Sequence, residues 1–105
     1  MNETARQIPD KAAEYINVLR EHLPRLRERY SVDTVGIFGS YVRGHEREDS
    51  DLDVLIEFTR TPGLFDFVAL KIELSELLGV NVDLVMKRAL KPRIGERILR
   101  EVVLV

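Results

Sequence analysis

Residues 34–55 read TVGIFGSYVRGHEREDSDLDVL, and the reading of that stretch decides the fold. Thr34 to Phe38 is a short apolar run closed by Gly39-Ser40, the pattern of a buried strand entering a turn. Tyr41 begins one helical turn, and after Gly44 the chain becomes a polar loop as far as Ser50. Leu52 to Phe58 then alternates partly and is rich in Leu, Ile and Val, which predicts a second strand.

Working outward, Pro9 and Asp10 mark a helix start with Asp10 as its cap, while Met1 to Gln7 are polar and read as a frayed end. Ala12, Ile16, Leu19, Leu23 and Leu26 recur at helical steps, giving one apolar stripe that ends near Arg29. Pro24 inside that stripe predicts a kink or a break into two pieces. Downstream, Thr59 to Gly63 is turn material. Leu64, Phe67, Val68, Leu70, Leu74, Leu77 and Leu78 form a broad helical face stopped by Gly79. Val80 to Met86 reads as a third strand, and Pro92 starts a last helix with the face Ile94, Ile98, Val102 and Val105. The order is helix, strand, short helix, strand, helix, strand, helix. It predicts an α/β sandwich on a small sheet whose strand directions stay open.

The composition fits one soluble domain: 105 residues, 45% hydrophobic, net charge -2 and no Cys. Without cysteine there are no disulfides, thiol nucleophiles or zinc-thiolate sites. No apolar run approaches the roughly 20 residues of a membrane span, and a polar start predicts no signal peptide, so the cytoplasm is the expected location. Near-neutral charge argues against a dedicated duplex-binding module. The small total nevertheless conceals a polarity. Glu46, Glu48, Asp49, Asp51 and Asp53 stand against Arg47, whereas Lys87, Arg88, Lys91, Arg93, Arg97 and Arg100 stand against Glu96. A solvated helix face is the simpler reading of the basic run, and a docking surface for an acidic partner or RNA the sharper one. His22 and His45 read as surface residues, and Tyr41 as packing beside the strand end.

Chemistry concentrates around two motifs. Asp51 and Asp53 lie two residues apart at a strand start, so both carboxylates share one face. At a separation of ~4 Å two such charges repel by about 4 kcal/mol at an effective dielectric near 20. A hard divalent cation such as Mg²⁺ offsets that repulsion and leaves coordination positions for phosphate oxygens. Asp83, alone among Val82, Leu84 and Val85, is a third candidate for the same site. The other motif is Phe38-Gly39-Ser40, a strand-to-helix junction that offers backbone N–H groups and a hydroxyl to an anion. Arg43, one helical step beyond Ser40, could grip phosphate oxygens bidentately. The Gly-Lys-Ser/Thr ending of a Walker loop is absent.

The ordered set Gly36-Ile37-Phe38-Gly39-Ser40-Tyr41-Val42-Arg43-Gly44, Ser50-Asp51-Leu52-Asp53-Val54-Leu55 and Val82-Asp83-Leu84-Val85 resembles the minimal nucleotidyltransferases (MNT) of the DNA polymerase beta superfamily. Within them it is most similar to the MNT antitoxins encoded beside HEPN toxins. The resemblance runs from about Asp33 to the C-terminus. It implies a nucleotidyltransferase fold, a mixed sheet of three to four strands flanked by helices, with residues 1–30 as a helical segment before a minimal domain at 31–105. It further implies that Gly39 and Ser40, assisted by Arg43, bind the β- and γ-phosphates of ATP or another NTP. Asp51, Asp53 and Asp83 would hold two Mg²⁺ ions, with Asp83 helping to deprotonate the incoming hydroxyl. The implied reaction moves a nucleoside monophosphate, AMP from ATP, to a hydroxyl, in the antitoxins a tyrosine of the HEPN ribonuclease. Two alternatives stand beside it: a binding module that neutralises its partner by occlusion, and transfer to a small-molecule hydroxyl. The nucleotide, the acceptor and self-association are not fixed by the sequence.

Overall fold

The computed structural model describes residues 7–105, so most of the expected frayed N-terminus lies outside the described residues. Helix α1 spans Asp10–Tyr30, strand β1 Val32–Phe38, the single turn α2 Ser40–Arg43, strand β2 Leu52–Phe58 and helix α3 Leu64–Leu78. Strand β3 spans Val82–Met86, a 3₁₀ turn Lys87–Ala89, helix α4 Pro92–Glu101 and strand β4 Val103–Leu104. The sheet order is β3-β2-β1-β4. Strand β1 runs antiparallel to both its neighbours, β2 and β4, while β2 and β3 are parallel, so the sheet is mixed.

Residue parity divides the sheet into two unlike faces. Val35 and Ile37 of β1, Leu52, Val54 and Ile56 of β2, and Val82 and Leu84 of β3 join one core with Ala12, Ile16, Leu19, Leu23 and Leu26 of α1 and Leu70, Leu74 and Leu78 of α3. Gly36, Phe38, Asp53 and Asp83 have the opposite parity and belong to the other face. Helices α1 and α3 are joined across that core by Tyr30, whose hydroxyl donates to Glu73 Oε1 at 2.8 Å.

Several expectations need correction. Pro9, with ψ 147°, holds the cap position of α1, and Asp10 is its first helical residue. The helix runs unbroken through Pro24 because Leu19, Leu23 and Leu26 are buried around it, and tertiary packing outweighs the missing donor. The face of α3 is narrower than its apolar content suggests. Leu70, Leu74 and Leu78 are buried, but Leu64 and Val68 are exposed together with Phe65 and Ile72. A helix lying on a sheet presents only one stripe, and Leu64, Val68 and Ile72, spaced by four, form a second stripe away from it. Strand β3 starts at Val82, two residues later than expected.

The largest difference is at the C-terminus. Helix α4 stops at Glu101, and the run Val102–Val105, expected to continue the helical face, turns extended. Consecutive Val and Leu residues favour a strand over a helix end, and Val103 and Leu104 take the open edge of β1 opposite Ile37 and Gly36. The Val105 N–H adds a bond to the Val35 carbonyl at 2.9 Å. Ile94 is exposed, while Ile98, Val102 and Val105 are half-buried.

Gly36 makes that edge available. A Cβ there would lie 2.6 Å from Val102 Cγ2 and 3.1 Å from the Val103 carbonyl oxygen. Valine is stiff at χ1 and the carbonyl is backbone, so neither yields easily. Gly36→Ala is expected to destabilise the fold by about 1–3 kcal/mol, read as a lower denaturant midpoint, with β4 amides losing exchange protection first.

Candidate active site

Strand pairing brings two of the three predicted acids together. Asp53 lies directly opposite Asp83 across the parallel β2–β3 pair, and on its other side opposite Phe38 of β1. Both acids fall on the face away from α1 and α3. Asp83 is exposed and Asp53 half-buried. Burial pushes the Asp53 carboxyl up to about 6 from 3.8, the charge and hydrogen bond of Asp83 and the charge of Asp51 push the same way, and the charge of Arg43 opposes them. Asp51, just before β2, is exposed and accepts a hydrogen bond from Asn81 Nδ2 at 3.0 Å.

The junction after β1 packs against the acids. Gly39 has φ 85° and ψ -155°, a conformation essentially reserved for glycine, and a Cβ on it would overlap Asp53 Oδ2. The chain therefore passes close to the carboxylate only because residue 39 lacks a side chain. Ser40 is the first residue of α2, and Gly44 closes that turn in the left-handed region at φ 76°. Tyr41 is buried edge-on against Tyr15, ring centroids 5.5 Å apart, and its hydroxyl donates to the Ser50 carbonyl at 3.3 Å. It thus fastens the far end of the polar loop next to Asp51.

One residue of the site was missed by sequence reasoning. Glu101, last in α4, accepts the Gly39 N–H through Oε2 at 2.7 Å and pairs with Arg43 Nη1 through Oε1 at 2.6 Å. Burial alone would raise this carboxyl, but the hydrogen bonds from Arg43 and Gly39 and the positive charge nearby outweigh it and hold it below the usual range. The only signal in the sequence is an acid closing a basic helix just before an apolar run. Arg43, although exposed, is engaged: it pairs with Glu101 and lies in the field of Asp53.

The donor set suits a hard divalent cation in kind, since Asp51, Asp53 and Asp83 offer only carboxylate oxygens, and the half-buried Asp53 feels the like charges of Asp83 and Asp51. Among the described residues no three acids or histidines are gathered closely enough to form a ready metal cage. The Asp53–Asp83 pair would be the nucleus of such a site, and Asp51 would have to turn from Asn81 to complete it.

Two consequences are measurable. Asp53 binds its proton more tightly folded than unfolded, so its stabilising contribution is complete below 3.8 and is lost as pH rises through about 6. Asp53→Asn is expected to raise stability near neutral pH by about 1 kcal/mol after solvent screening, a few degrees in Tm, with the two proteins converging near pH 4 in a thermal melt series. Gly39→Ala is expected to cost about 2 kcal/mol or more, because strain and overlap with Asp53 add, and chemical denaturation measures it.

Comparison with known proteins agrees with this geometry. A family model described as "Nucleotidyltransferase domain" matches residues 19–105. The protein adenylyltransferase MntA of Thermococcus cleftensis is 51% identical over 89 residues, 85% of this chain and 90% of that protein. A solved structure described as a minimal nucleotidyltransferase superposes with TM-score 0.71 at 44% identity, covering 86% of this chain and 92% of the other. A toxin–antitoxin structure solved with AMP-PNP shares the fold, with TM-score 0.65 at 22% identity over 90% of this chain and 71% of that one. On the family match and the close relative together, this chain belongs to the nucleotidyltransferase domain family, and within it stands with the MntA-type minimal nucleotidyltransferases.

Proposed function

We propose that this protein transfers AMP from ATP, with Mg²⁺, to a tyrosine hydroxyl of a HEPN-type ribonuclease partner, the new phosphodiester bond forming as the α–β phosphoanhydride breaks and pyrophosphate leaves, and so acts as its antitoxin. The observation that carries the reading is the alignment of Asp53 with Asp83 beside the Gly39 N–H and Arg43. The Thermococcus relative is named a protein adenylyltransferase, and a Shewanella oneidensis relative by fold was solved as an MNT antitoxin with its AMPylated HEPN toxin.

In this reading Gly39, the Ser40 hydroxyl and the Arg43 guanidinium bind the β- and γ-phosphates and orient the chain of phosphates along the strand ends. Asp53 and Asp83, with Asp51 turned toward them, would hold two divalent ions. Those ions would supply charge neutralisation at the phosphates and a more acidic attacking hydroxyl. The exposed carboxylate of Asp83 suits acceptance of the proton that the hydroxyl gives up. Arg43, able to keep a fixed positive charge near the phosphates, favours the extra negative charge of the transition state. The exposed Leu64, Phe65, Val68 and Ile72 on α3 also favour a macromolecular partner, and keep a purely occluding antitoxin as the second reading.

Incubation with labelled ATP, Mg²⁺ and the toxin encoded beside the protein separates the two. Label is expected to appear on the toxin, and Asp51→Asn with Asp53→Asn is expected to lower the rate by at least about a hundredfold and to abolish neutralisation. Unlabelled toxin that the double variant still neutralises would refute the transferase reading in favour of occlusion.

A further inference from the structure

Glu101 lies inside the proposed nucleotide site, yet no step of the transfer uses it. Its carboxylate takes the donors that a phosphate would need. Gly39 N–H is a single donor and gives its hydrogen bond to Glu101 Oε2 at 2.7 Å. Arg43 gives Nη1 to Oε1 at 2.6 Å. A carboxylate and a phosphate make the same demand on such donors, both being anionic oxygen acceptors that favour charge-assisted bonds. A phosphate oxygen therefore cannot accept the Gly39 N–H while Glu101 does, and two anions at contact distance in a half-buried site repel each other.

We infer that Glu101 is an affinity- and specificity-setting residue of the nucleotide site: it occupies the Gly39 N–H and Arg43 in the nucleotide-free protein, and a polyphosphate binds by displacing it. The inference rests on the transferase reading above. The backbone around Glu101 is anchored on its far side. Val102 N–H bonds to the Ile98 carbonyl at 2.8 Å, and Val105 N–H to the Val35 carbonyl at 2.9 Å. Displacement therefore needs only the side chain to swing out, not the strand to detach. The arrangement also discriminates by charge and length. A triphosphate carrying Mg²⁺ has further contacts at Ser40 and the acids to outweigh the exchange, whereas inorganic phosphate would trade one anion for another with little gain.

The test compares wild type with Glu101→Gln, which keeps the shape and an acceptor oxygen but removes the charge, and with Glu96→Gln as a control on the same helix. Calorimetric titration with Mg²⁺ and AMP-PNP, and separately with tripolyphosphate, reads the affinities. Glu101→Gln is expected to bind both about tenfold more tightly and to bind inorganic phosphate measurably, while Glu96→Gln stays within about twofold of wild type. A crystal structure of wild type with Mg²⁺ and AMP-PNP is expected to have the Glu101 carboxylate away from Gly39 and a phosphate oxygen in its place. Equal or weaker AMP-PNP binding by Glu101→Gln, or a nucleotide-bound wild type in which Glu101 still accepts the Gly39 N–H, would overturn the inference and leave the transferase reading intact. If no protein in the set binds AMP-PNP, both fail together.

Discussion

Two carboxylates facing each other across a parallel strand pair, Asp53 and Asp83, set the terms for the rest of this site. Neither can be relieved by its immediate sheet neighbours, which are apolar, so the repulsion is met from the adjoining loop. Gly39 lets the backbone close against Asp53 without a Cβ, and Arg43, three residues past Ser40, brings a positive charge within its field. The compensation is incomplete. Asp53 remains raised to about 6, first because it is half-buried and then because Asp83 and Asp51 lie near it, and a carboxyl perturbed in this way marks a candidate functional site. A structural ion pair would have been finished by the fold; a binding site need not be.

The sheet keeps that strain away from the parts that stabilise the molecule. Strand parity sends Leu52, Val54, Ile56, Val82 and Leu84 into the core with α1 and α3, and sends Asp53 and Asp83 to the opposite face. The same strands thus carry the core and the site without mixing them. This division explains why changes at Asp53 can be stabilising while changes in the core are not.

What could be read from the sequence follows from the range of the signals. The run from Thr34 to Phe58 encodes β1, α2, β2 and the acid pair locally, through periodicity, one glycine and a helical step; β2 stands at its expected bounds, while β1 begins at Val32, two residues earlier, and α2 at Ser40, one residue earlier, than the pattern puts them. The pairing of Asp53 with Asp83 depends on strand register, which residue spacing alone does not give but family resemblance suggested. Strand β4 and Glu101 were out of reach because both are set by a contact of residues 101–105 with β1, more than sixty positions earlier in the chain, as the Gly39–Glu101 separation of 62 illustrates. The apolar residues of α3 misled in the other direction: Leu64 and Val68 look like core by type, and only the width of the sheet-facing stripe decides that they are not.

Charge patterning gains a structural meaning once Glu101 is included. The acids of residues 46–53 and the basic residues of 87–100 appeared as two separated blocks. Lys87 pairs with Glu57 at 3.5 Å, and Arg88 donates to Thr61 Oγ1 at 2.6 Å, so part of the basic block is engaged along the β2 end of the sheet. At the other end of that block Glu101 reaches back to Arg43, and Arg97 adds to the positive field around it. The net charge of -2 thus conceals oppositely charged groups, of which Arg43 and Glu101 meet at the junction of β1 with α2. An anion arriving there would meet positive groups already matched to a carboxylate, beside acids that repel one another. On the proposed function, such a site would favour an anion that brings its own divalent metal over one that comes alone.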